Sequence, residues 1–150
     1  NYFMKKIIQL LIVISILSNG CVQNKNNTNN TEKMQMEQSY TIDKIEGICI
    51  SKNYSTQGML ECTYKAKIAW ENEINTNLTL LKNITSKEDF KNIQLSQKYW
   101  EAYRDKENLL YDLIQQKQGT MFQNVVAGHK RDLAKQRALE LKSIYDNLKY

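Results

Sequence analysis

Apolar residues in the middle of the chain return every three to five positions: Met59, Cys62, Ala66, Ala69, Ile74, Leu78 and Leu81, with Trp70 beside the stripe. That spacing collects them on one side of an α-helix and predicts a helix from Gln57 to about Asn83. Thr56 is the candidate N-cap, since its hydroxyl precedes the periodic run. Ser86-Lys87-Glu88-Asp89 opens a second helix, in which the serine caps and the acids suit the positive helix end. It is expected to run to about Lys117 with Phe90, Ile93, Gln97, Trp100, Tyr103 or Arg104, Glu107, Leu110 or Tyr111, and Ile114 on its inner face. Gly119 and Thr120 break the pattern, and a connection holding Met121, Phe122, Val125, Val126 and Gly128 follows. A third helix is expected from about Lys130 to Leu148 on the stripe Leu133, Arg137, Leu141, Ile144 and Leu148. Before all of these, Ile42, Ile45, Ile48 and Ile50 suffice for a helical turn or two around Cys49. The expectation is an all-α fold, a three-helix antiparallel bundle over residues 39–150. The absence of Pro and the scarcity of Gly agree with long helices and few tight turns.

A different pattern occupies the start. Met4-Lys5-Lys6 leads into an apolar run from Ile7 to Leu17, interrupted by Gln9, and then Ser18-Asn19-Gly20-Cys21. A charged start, a short greasy core and small residues before a cysteine resemble a bacterial lipoprotein signal peptide, here residues 1–20. Asn1 to Phe3 read as an upstream extension of the frame. A permanent bilayer-spanning helix takes about 20 apolar residues, more than this run supplies, so cleavage is favoured and an uncleaved anchor is the alternative. Cys21 would become the acylated first residue, although Ser18 stands where such signals usually carry Leu. Residues 21–38 are polar and Asn-rich, too poor in apolar groups to offset the entropy of ordering. They read as a disordered tether able to span on the order of 20–25 Å. The expected location is the cell envelope, lipid-anchored to a bacterial membrane and facing the periplasm or exterior.

Charge and cysteine usage narrow the function. The net charge of +5 falls to +3 once Lys5 and Lys6 leave with the leader, too little to argue for a nucleic-acid partner. With Cys21 lipidated, Cys49 and Cys62 remain as one pair in an oxidising compartment, and a disulfide between them is the economical reading. His129 is the single histidine and sits in Gly128-His129-Lys130-Arg131, which is not a metal-ligand pattern. No Ser or Cys nucleophile has a recognisable base partner. Glu71 with Glu73, and Glu101 with Asp105, read as solvated helix faces rather than acid–base pairs. No catalytic residue, metal or cofactor is therefore expected, and the chain should act by binding.

Particular residues add a resemblance. Cys49, Ser55-Thr56-Gln57-Gly58-Met59, Cys62, and Trp70 with Glu73-Ile74-Asn75 are similar to the first half of the LprI-like lysozyme-inhibitor family. Gln97-Lys98-Tyr99-Trp100-Glu101-Ala102-Tyr103-Arg104-Asp105, then Gly119-Thr120 and a last helix containing Arg137, resemble its second half. The resemblance implies a small exported helical protein that binds lysozyme. The alternative is an envelope-associated module that binds another exported protein or the cell wall without inhibiting. The motif residues Gln97, Trp100, Tyr103, Arg104, Asp105, Gly119, Thr120 and Arg137 would serve structure or binding. The chain departs from the family at Asn108, where a cysteine is common, and it has no cysteine near Ala127 or Gly128 to pair with one. Trp100 is expected in the core. Arg104 has two placements open to it: inward, paired with Glu61, Glu71 or Glu73, or outward with Asp105 toward a partner. Contacts with a partner are expected from the connections, Ser51 to Gln57 and Gly119 to His129.

Overall fold

A computed structural model of the protein describes residues 41–117 and 119–150. The expected leader, the lipidation site Cys21 and the whole tether lie outside them, together with Gln118. The described residues form four helices and no strand: α1 over 41–52, α2 Thr56–Ile84, α3 Lys87–Gln115 and α4 Met121–Leu148. The all-helical expectation holds, but the bundle has four helices rather than three.

The additional helix is α1, where the sequence suggested only a turn or two. Helices in proteins draw most of their stability from tertiary packing, because nucleation is costly. Its neighbours stabilise α1. Cys49 is joined to Cys62 of α2 with 5.7 Å between their Cα atoms. Arg131 of α4 donates from Nη1 to Glu46 at 2.7 Å, and Lys135 pairs with Asp43. Ile42, Ile45 and Cys49 share a small apolar cavity of about 100 Å³ with Cys62, Ala66 and Ala69 of α2. Burial works against the Arg131 charge, but hydrogen bonds and opposite charge from Glu46 and Asp132 outweigh it and hold the guanidinium above its ordinary pKa.

The turn into α2 also differs in detail. Ser55, not Thr56, caps the helix, accepting from the Gly58 backbone N–H at 3.0 Å. Gly58 must be glycine, because a Cβ there would lie 2.7 Å from the Asn53 Cβ. Asn53 ties the turn back to α1 by donating to the Cys49 carbonyl at 2.8 Å. The cap at Ser86 is as expected, with the Asp89 N–H donating to its Oγ at 3.1 Å.

Helix α4 begins at Met121, well before the expected Lys130. Val126 and Ala127 in this extra stretch are fully buried, and their burial stabilises a helix start that periodicity did not show. The connection shrinks to residues 116–120, where Gly119 has a φ of 115°, a left-handed conformation that favours glycine. Towards the C-terminus the buried face runs through Ala134, Ala138 and Leu141, while Ile144 and Leu148 are exposed.

The core lies between α2 and α4, which pack along one another in the same direction. Trp70, Ile74 and Leu81 from α2 meet Ala134, Ala138 and Leu141 from α4. Trp70 sits at the centre of this contact, not beside it, with 1 % exposure. Small residues on α4 let the backbones approach, and Asn77 of α2 uses that proximity to donate to the Ala138 carbonyl at 3.1 Å. Helix α3 packs on α4 and barely touches α2, leaving a groove between them.

Replacing Cys62 by Ser frees α1 at its C-terminal end. The expected loss is about 3 kcal/mol of unfolding free energy, in line with a short closed loop, read as a lower urea midpoint. An unchanged midpoint would mean that the two ion pairs and the apolar contacts hold α1 without the bridge.

Candidate functional site

Helix α3 contributes a single buried residue, Gln97, and only the partly buried Ile93 and Trp100 reach the core, so polar contacts matter to its attachment. Arg137 of α4 supplies them. This side chain is 4 % exposed and donates from Nε to Gln97 Oε1 at 3.0 Å, from Nη2 to Ser96 at 3.2 Å and from Nη1 to Glu140 at 2.7 Å. Its guanidinium also lies 5.9 Å from the centre of the Trp100 ring. Charge-assisted bonds of this kind are stronger than neutral ones, and a planar fork spends its donors in fixed directions.

Arg104 does not have that role. Its Nε and Nη2 both donate to Oδ1 of the adjacent Asp105, at 3.0 and 2.9 Å, and it lies over Trp100 at 5.2 Å. The expected partners on α2, Glu61, Glu71 and Glu73, are not the ones it uses. The Glu73 carboxyl lies elsewhere, its pKa raised by burial against an opposing pull from Lys142. Residues i and i+2 of a helix point apart, which is why Glu71 and Glu73 do not form a pair.

The groove between α2 and α3 has a volume of about 350 Å³. From α2 it is lined by Ile68, Glu71, Asn72, Ile74 and Asn75. Gln97, Trp100, Glu101 and Arg104 close it from α3. Three of the motif residues singled out by sequence, Gln97, Trp100 and Arg104, are thus brought together on one wall. Trp100 is only partly buried, at the edge of the core rather than within it. Tyr103 and Asp105 of the motif point away. Tyr103 is 52 % exposed, Asp105 faces solvent, and Tyr99 and Leu95, one and two turns before Tyr103, are 68 % and 48 % exposed. Gly119 and Thr120 lie apart at the α3–α4 turn.

The family model described as "Lysozyme inhibitor LprI" matches residues 49–141. The chain belongs to the LprI family. The match opens on the half-cystine that latches α1 and closes on Leu141 in the core, so it spans the elements that hold both the groove and the tyrosine face. Among solved structures, an uncharacterized protein from Burkholderia thailandensis is similar, with 26 % identity and a TM-score of 0.66. The alignment covers 72 % of this chain and 55 % of that protein, so the LprI chain spans about half the length of its solved relative. Comparison with curated proteins finds no match.

Several polar anchors of this LprI domain were missed by sequence reading. Asp43 and Glu46 on α1 face Lys135 and Arg131 on α4, and the complementary i,i+3 and i,i+4 spacings are a signal that could have paired them. Lys130 holds Asp112 at 3.0 Å, and His129 stacks on Tyr111 with ring centres 3.2 Å apart. Burial pushes the His129 imidazole below its ordinary pKa, against the pull of Glu107 and Asp132. No described helix is long and apolar enough to cross a membrane.

The two arginines should separate cleanly on mutation. Arg137→Leu strands the buried Gln97 acceptor and should cost about 2–3 kcal/mol of stability. Arg104→Ala removes a partly exposed pair between sequence neighbours and should cost below about 1 kcal/mol. Equal losses in urea denaturation would contradict the assignment of the α3–α4 clamp to Arg137.

Proposed function

We propose that the protein is a lysozyme inhibitor that engages its target with the outer face of α3, through Leu95, Tyr99 and Tyr103. The observation that carries this reading is the division of the family motif. Gln97, held by Arg137, and Trp100 at the core edge turn inward and fix the helix, and Arg104 lines the groove, while aromatic groups at adjacent turns are left standing in solvent on a rigid support. Tyrosine buries a large area at low entropic cost and keeps a polar tip, which makes it a frequent anchor of interfaces. The segments Ser51 to Gln57 and Gly119 to His129 are less suited to contact than the sequence suggested, since helix now occupies most of both. A net charge of +3 once the leader is lost gives no long-range attraction to a basic lysozyme, so affinity rests on such desolvated anchors.

The test is a titration of the protein into a lysozyme cell-wall lysis assay with several lysozyme types. Stoichiometric loss of turnover is expected, and Tyr99→Ala or Tyr103→Ala should each weaken inhibition by about 2 kcal/mol, or about thirtyfold. Unchanged turnover with every type would remove the inhibitor reading and favour an envelope module that binds another exported protein or the wall.

The same proposal places the domain at a bacterial membrane, with acylated Cys21 as its anchor and residues 22–38 as the spacer. The export-like pattern of residues 4–21 supports it. Cys21→Ala should move the protein from the membrane fraction to the soluble one. Retention in the membrane would point to an uncleaved apolar leader instead.

A further inference from the structure

We infer that the groove between α2 and α3 is a binding site for a pyranose-based glycan, separate from the tyrosine face of α3. Its volume of about 350 Å³ lies at the small end of the range for small-molecule sites, about 300–1,000 Å³. That suits a short stretch of sugar better than a folded partner.

The lining has the chemistry of hydroxyl recognition. Sugar hydroxyls both donate and accept, and adjacent ones are matched by planar side chains that present a donor or acceptor pair. The groove carries such groups on both walls: the amides of Asn72 and Asn75 on α2, and Gln97, Glu101 and Arg104 on α3. Asn72 and Asn75 accept the Thr76 and Thr79 hydroxyls on their backbone carbonyls, at 3.0 and 2.9 Å. Among the described residues, no side-chain hydrogen bond takes up their amides. The α3 wall is preorganised: Gln97 is clamped by Arg137 and in turn donates to Glu101 Oε1 at 3.1 Å. Trp100 supplies apolar surface for the C–H face of a ring.

The charges argue for a neutral ligand. Arg104 is neutralised by Asp105, and the carboxylate of Glu71 by Lys67 at 2.7 Å. A lone uncancelled carboxylate, Glu101, is too little to select a polycation, and the groove offers no free cation to hold a phosphate. Buried Ile74 and Gln97 form part of the lining, and exposed Ile68, Asn72, Asn75 and Glu101 leave the groove accessible from solvent, so a short oligosaccharide can enter it.

The test uses the purified full-length chain in a detergent without a sugar headgroup, titrated with chitotetraose and with cellotetraose while the Trp100 indole resonance is followed. Saturable shifts with either sugar are expected. Asn75→Ala and Asn72→Ala should each weaken binding by about tenfold without changing the melting temperature, as both side chains are outside the core. No saturable shift at millimolar sugar would overturn the inference. So would binding unchanged by both substitutions, or shifts produced by spermine or inorganic phosphate but not by the sugars. The inhibition assay keeps the two readings apart, because Asn75 is not part of the Leu95, Tyr99 and Tyr103 face. Asn75→Ala should inhibit lysozyme as the unaltered chain does, and a chain that inhibits yet ignores both sugars would lose only the groove assignment.

Discussion

The position of α3 depends on a buried guanidinium. Helices α2 and α4 are joined by a largely apolar seam, with Trp70, Ile74 and Leu81 set against alanines and Leu141 and one buried hydrogen bond from Asn77 to the Ala138 carbonyl. Helix α3 has no such seam. Its one buried residue is Gln97, and Arg137 reaches it from α4 while also holding Ser96 and Glu140. Burying a charge is costly unless hydrogen bonds satisfy it, and here three acceptors and a nearby indole ring do so. The arrangement sets the rotation of α3 about its own axis. Everything on that helix follows: Trp100 and Arg104 line the groove, and Tyr99 and Tyr103 look out.

Helix α1 is attached on a different principle. Its described residues have only a modest apolar face, yet they are held to both neighbouring helices. The Cys49–Cys62 bridge holds one end to α2, and Asp43 and Glu46 reach across to Lys135 and Arg131 on α4. Gly58 and Ser55 shape the turn between α1 and α2 by allowing a close approach and supplying a cap. The family motif in this region is thereby explained as architecture. In the Gln97 to Asp105 run, by contrast, alternate residues serve architecture and surface, and that division is the physical basis for reading α3 as the interacting helix of an LprI protein.

Much of the fold was legible because helix formation is a local property. The intervals of three to five between Met59 and Leu81 define α2 to within a residue or so at each end, and Ser86 with Glu88 and Asp89 defines the start of α3. The pairing of Cys49 with Cys62 followed from counting cysteines. Local signals failed where a neighbour supplied the stabilisation. The α1 segment is a complete helix only through contacts with α2 and α4. Met121 to Gly128 lacks a clean stripe, yet becomes helix because Val126 and Ala127 find a place against the core.

The sequence by itself determined the helical class, most of the helix boundaries, the single bridge and the family, because each rests on residues close in the chain or on a distinctive run of them. Only the tertiary structure decided that Arg137, already on the predicted stripe, clamps Gln97 while Arg104 stays with Asp105, that Trp100 stands at the edge of a groove, and that Tyr99 and Tyr103 face outward. Those outcomes depend on the rotation of α3 against α4. That rotation is set by bonds between residues some forty positions apart, such as Arg137 and Gln97, a separation at which helical periodicity carries no information.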